Sequence, residues 1–162
     1  MRAAGLVIIG LCLAAVSGCG VYSFSGAGKA PFETLTVSPF ANNTIEYEMG
    51  DRLTDAVVDA FIRENLVKIV DPSRAEAVMD GTVVGYRRDP YTYDKEDIVS
   101  QYAVKVSVQV KVLKAESEDI IWEKDFYAEG VYNADTETEE DGQARAITLL
   151  TTDIVNNTTK SW

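Results

Sequence analysis

The chain predicts an α+β domain, a two-layer sandwich with two helices on one face of a mixed sheet of about four strands. Three observations carry this. Tyr102, Val104, Val106, Val108, Val110 and Val112 alternate strictly with Ala103, Lys105, Ser107, Gln109 and Lys111, the mark of a half-buried strand with one wet face. Two stretches, about 45–65 and 143–160, carry apolar residues at three- and four-residue spacing, the stripe of an amphipathic helix. Shorter apolar runs bounded by Pro, Gly, Asn and Asp supply the other strands.

Taken in order, residues 32–37 predict a short strand with Leu35 and Val37 on one face, ended by Pro39, which has no N–H for a ladder. Asn42-Asn43-Thr44 supplies turn and cap chemistry. In the first helix Met49, Leu53, Ala56, Val57, Ala60 and Phe61 form the stripe, while Asp51, Arg52, Asp55, Asp59 and Arg63 lie off it. That polar face is acidic, which argues against a helix lying on a membrane. Residues 67–70 predict a brief strand, so the first strand–helix–strand unit should be a right-handed crossover. Asp71-Pro72-Ser73 is a turn. Residues 75–88 predict a longer strand, in which Gly81 and Gly85 mark a bulge or a close approach of another backbone. Residues 115–119 form a polar hairpin turn after the valine strand. The next strand, 120–132, places Ile120, Trp122, Phe126 and Ala128 on one face. Setting Val112 against Ile120 puts Val110 against Trp122 and Val106 against Phe126, so both apolar rows share a face. Residues 133–142 are an acidic loop whose charge suits the start of the last helix. There Ala144, Ile147, Leu150 and Ile154 form a stripe that extends to Trp162.

The N-terminus sets the destination. Arg2 is the sole charge before an apolar run, Ala3 to Val16, which is too short for a spanning helix. A basic start, an apolar middle and small residues at the cut make a secretory signal over residues 1–18. Val16-Ser17-Gly18-Cys19 looks like a bacterial lipobox, so Cys19 is expected to be lipidated and to become the mature N-terminus. Gly20, where an Asp favours inner-membrane retention, resembles an outer-membrane address. Residues 19–31, rich in Gly, Ser and Ala, read as a flexible tether, with Tyr22 and Phe24 as aromatic points within it. Residues 32–162 are then a single domain.

Composition excludes several functions. The chain has 15 basic and 26 acidic residues, and losing Arg2 with the leader takes the formal charge from −11 to −12. Such a surface repels nucleic acid. With no histidine, the commonest general base and metal ligand is missing. No nucleophile elbow, phosphate loop or dinucleotide fingerprint is present. The acidic loop fails as an EF-hand from Asp135, because Glu140 stands where Gly is needed and Ala146 where Glu is needed. No catalytic residue, metal or cofactor is expected.

One basic patch stands out: Arg87 and Arg88, followed by Tyr91, Tyr93 and Lys95, read as a loop between two long strands. Paired arginines suit phosphate or carboxylate contacts, and tyrosines offer amphipathic contact area. Local pairing with Asp89, Asp94, Glu96 and Asp97 is the alternative.

With these elements in place the chain resembles the lipopolysaccharide-assembly lipoprotein (LptE) family. The resemblance runs through Cys19-Gly20-Val21-Tyr22-Ser23-Phe24, Val37-Ser38-Pro39-Phe40-Ala41-Asn42-Asn43-Thr44 and Leu53-Thr54-Asp55-Ala56. It continues through 75–81 into Tyr86, the 102–112 strand, Ile121-Trp122 and Gly130-Val131-Tyr132. It implies a non-enzymatic lipoprotein on the periplasmic side of the outer membrane. Such a protein plugs and supports an LptD-type β-barrel and assists lipopolysaccharide delivery to the cell surface. Arg87, Arg88, Tyr91, Tyr93 and Lys95 would then be the lipopolysaccharide contact. The other reading is a regulatory lipoprotein that activates a periplasmic cell-wall enzyme or belongs to another secretion complex.

Overall fold

The structure, a computed structural model, describes residues 30–65 and 67–160. The signal segment, Cys19, nearly all of the tether and Trp162 lie outside the described residues. Strands β1 (Thr34–Val37) and β2 (Ala41–Asn42) precede helix α1 (Met49–Glu64). Then come β3 (Lys68–Ile69), a 3-10 turn (Pro72–Arg74), β4 (Ala77–Tyr93), β5 (Val99–Lys114), β6 (Ile120–Asn133) and helix α2 (Glu139–Lys160).

The α+β class is as the sequence predicts, but the mixed sheet has six strands, not four, in the order β3-β1-β4-β5-β6 with β2 also on β4. β1 and β2 share one lane beside β4. Pro39 interrupts that lane, and Ser38 keeps it by donating to the Met79 carbonyl at 2.9 Å. β1 pairs in parallel with both β3 and β4, with α1 lying between β1 and β3 in sequence. β4, β5 and β6 form an antiparallel meander.

Both helices pack on one face. The even residues Val104 to Val112 of β5 meet Leu53, Val57 and Phe61 of α1 and Ala146, Leu150 and Ile154 of α2 in one buried core. Ala77, Met79 and Val83 complete it from β4, which settles the buried face of that strand. Gly81 leaves room for the Phe40 ring, whose nearest atoms would stand 2.5 Å from an added Cβ. Gly85 follows a register shift after Val83, so one interior glycine marks an approach and the other a bulge.

The β5–β6 register corrects the expected one by two residues: Val112 pairs with Trp122 and Val108 with Phe126. An even shift leaves both apolar rows on the helix face. The physical reason is an irregularity between Val112 and Leu113, which pairs Leu113 with Ile120 and leaves Ile120 exposed rather than in the row. α2 begins at Glu139, so the acidic loop ends inside the helix.

Candidate functional site

The basic patch is not a loop. β4 continues to Tyr93, and only residues 94–98 turn the chain. Asp94 orders that turn: its Oδ1 accepts from the N–H of Glu96 and of Ile98, each at 2.9 Å. β4 and β5 thus form an arm that ends in exposed Tyr91, Tyr93, Lys95 and Ile98. Pro90 fits because it pairs with Tyr102, whose backbone turns to β6, so its nitrogen faces the open edge of β4.

Strand geometry separates the two arginines. Neighbours in a strand point to opposite faces, so Arg87 and Arg88 cannot form one fork. Arg87 lies on the helix-free face, its Nε 2.8 Å from Asp89 Oδ2, and most of its side chain is exposed. Lys105 Nζ is 3.1 Å from the same carboxylate and 3.8 Å from Glu129. The Lys105 contact, followed by the Arg87 charge, holds the Asp89 carboxyl below its ordinary range against the opposing effect of desolvation.

Arg88 turns to the helix face. Its guanidinium carbon sits 3.7 Å from the centre of the Tyr102 ring, and its Nε donates to Tyr132 Oη at 2.5 Å. Tyr102 and Tyr132 stack with centroids 5.8 Å apart. Glu139 lies 3.6 Å from Arg88 and accepts from the Tyr86 hydroxyl. Gln143 donates to Tyr86 Oη at 2.8 Å and accepts from Arg52 on α1. Burial, then the Glu139 carboxylate, pushes the Tyr86 phenol far above its ordinary range, so it remains a neutral donor. This chain of contacts ties β4, β5 and β6 to the first turns of both helices. Sequence reasoning missed Tyr86, Tyr102, Tyr132, Glu139 and Gln143 as a network. The missed signal was Arg88 sharing the face of Tyr86 and Tyr102.

The structure therefore brings Tyr91, Tyr93 and Lys95 to one arm tip, leaves Arg87 lower on its open face and sets Arg88 on the opposite face against Tyr102 and Tyr132. Among the described residues no group of three or more Cys, Asp or Glu is placed to hold a metal ion. Among the described residues no helix is long and apolar enough to cross a membrane.

The fold and site define an α+β sandwich with an aromatic-tipped arm, at whose base polar groups link secondary elements. The chain belongs to the LptE family, described as lipopolysaccharide-assembly, whose model matches residues 32–158. No curated protein matches the sequence. Among solved structures the chain is similar to a protein of Xanthomonas campestris at 15% identity, TM-score 0.60, covering 83% of this chain and 87% of that one. It is similar to the PelC dodecamer protein of Paraburkholderia phytofirmans at 16% identity, TM-score 0.54, covering 84% and 94%. Uncharacterized lipoprotein B from Nitrosomonas europaea is similar at 14% identity, TM-score 0.51, covering 86% and 90%. At these identities the three structures share the fold.

Proposed function

We propose that this protein is an outer-membrane lipoprotein, anchored through Cys19 on the periplasmic side, that plugs and supports an LptD-type β-barrel during lipopolysaccharide delivery. The observation that carries the reading is the family match over residues 32–158. The helix-free face supports it: Asp80, Lys111, Ser107, Lys105 and Asp89 make it polar, and the interior of an outer-membrane barrel is polar as well. An acyl anchor contributes about 0.8 kcal/mol per buried methylene, so several chains hold the protein at the membrane.

Direct lipopolysaccharide contact is assigned to the arm, with Tyr91 and Tyr93 against acyl or sugar surface and Lys95 and Arg87 toward phosphates. Arg88 is the residue of the original patch that this reading sets aside, because Tyr102 and Tyr132 already hold it. The test is crosslinking and copurification from outer membranes. A large β-barrel should be recovered with the chain. Recovery of a peptidoglycan synthase without a barrel would replace this reading with the regulatory one. Mass spectrometry of the mature N-terminus should show an acylated Cys19; an unmodified cysteine or a different start removes the anchor.

A further inference from the structure

Two long sheet edges are open among the described residues: β4 beyond its short pairing with β2, and β6 along its whole length. The first is obstructed by Pro90 and by two register shifts near the arm tip. β6 has no proline, runs 14 residues and pairs with no other strand than β5 among the described residues.

The register fixes which of its backbone groups face outward. Asn43 N–H donates to the Val83 carbonyl at 2.9 Å, so the Val83 backbone turns away from β5. Its partner Val108 then turns toward β6, and alternation directs Glu123, Asp125, Tyr127, Glu129 and Val131 away from the sheet. Val131 bears this out, since its carbonyl accepts from Arg145 Nη1 at 2.6 Å. Asn133 N–H, next in the same series, donates to Glu137 Oε2 at 2.7 Å. Side chains of the protein itself thus close the end of the edge, and the span 123–129 stays open. α2 walls this span on the helix side, leaving one groove of about 540 Å³ beside Val131 and Leu149 and another of about 440 Å³ beside Asp125 and Asp153.

Charge selects the occupant. Glu123, Asp125 and Glu129 lie on one face of the edge, with Tyr127 between the last two donating to Glu129, whose carboxylate also lies 3.8 Å from Lys105. A second copy paired antiparallel about residue 124, 125, 126 or 127 would set two of these carboxylates directly opposite each other, which is destabilising. A strand with cations at alternate positions would face them favourably. We propose that the β6 edge from Glu123 to Glu129 is a strand-addition site for an extended segment of a partner protein bearing Lys or Arg at every second residue. The site lies apart from the arm and does not depend on lipopolysaccharide contact.

The test uses the full chain in detergent and a short synthetic peptide alternating Lys with Val or Thr. The peptide should bind and slow exchange of the outward amides of Asp125 and Tyr127. Its Glu-for-Lys counterpart should bind at least about tenfold more weakly, a difference of about 1.4 kcal/mol. N-methylation of the peptide amides that face β6 should abolish binding, whereas N-methylation of the intervening amides should not. Both peptide series use unaltered protein, so no variant has to fold. Replacing Glu123→Lys and Asp125→Lys together should reverse the preference toward the acidic peptide. No binding of the basic peptide, binding indifferent to the methylated register, or self-association through β6 that excludes the peptide would each overturn the proposal.

Discussion

Val106 and Ser107 are covalent neighbours in opposite surroundings. Val106 is fully buried beneath the helices, while Ser107 lies on the helix-free face beside Gly85. Val106→Asp would bury an unpaired carboxylate and should destabilise the domain by about 4 kcal/mol or more. Ser107→Asp keeps its charge near water and should change stability by less than about 1 kcal/mol. Thermal melting of both variants checks this, and equal losses would contradict the assigned faces. Glu137 gives a second prediction. Its carboxylate pairs with Arg145 and accepts from the Asn133 N–H, and these contacts lower its pKa to about 2. A depressed carboxylate contributes stability that is present above its unfolded value, near 4.5, and is lost as the pH falls toward 2. Urea titrations should show Glu137→Gln losing less stability than the parent between those two values. An unchanged acid profile would mean the Arg145 contact contributes nothing.

At the scale of elements, the crossing of α2 over β6 depends on two glycines. A Cβ at Gly130 would stand 1.8 Å from the Gly142 carbonyl oxygen and 2.8 Å from the Ala146 nitrogen. Both neighbours are helix backbone, so Gly130→Ala should force α2 outward and cost about 2–3 kcal/mol. Gly85→Ala meets only the Ser107 side chain, at 3.3 Å, and should cost clearly less in the same denaturation experiment. Gly130-Val131-Tyr132 was legible as a family motif, but the packing reason was not, because it needs the helix position. Elements were legible in proportion to their periodicity. The valine strand and the first stripe were plain, whereas in the second Ala144 is exposed and Ala146 is buried instead. Two-residue β2 is too short to show any period, whereas the equally short β3 falls inside the strand read at 67–70. The outer half of β4 read as a loop because Asp89, Pro90 and the nearby bulges break its alternation. Reading it as a loop let Arg87 and Arg88 seem one site, whereas a strand puts adjacent residues back to back. Tyr91, Tyr93 and Lys95 lie at the tip under either reading.

The molecule as a whole has two distant ends. The chain enters beside Pro31 and Phe32, which line a hollow with the 3-10 turn and the β5–β6 turn. β4 starts at that end and its 17 residues carry it to the arm tip, about 50 Å away at strand rise. Pro31 and Phe32 therefore lie at the end far from Tyr93. If the arm meets lipopolysaccharide, a photoreactive residue at Tyr93 in living cells should crosslink to it. The same probe at Ser117, in the turn beside Pro31 and Phe32, should not. Lys95→Glu with Arg87→Glu should reduce the Tyr93 adduct, because both changes place carboxylates where phosphates would approach. The fold should survive, since both side chains are largely exposed and exposed charge pairs contribute about 0–1 kcal/mol. Arg88→Ala should act differently: it empties the Tyr102 and Tyr132 contact, lowers the melting temperature and affects the adduct only through the arm's base. Adducts from Ser117 rather than Tyr93 would place lipopolysaccharide at the end opposite the arm and leave the arm for the barrel wall.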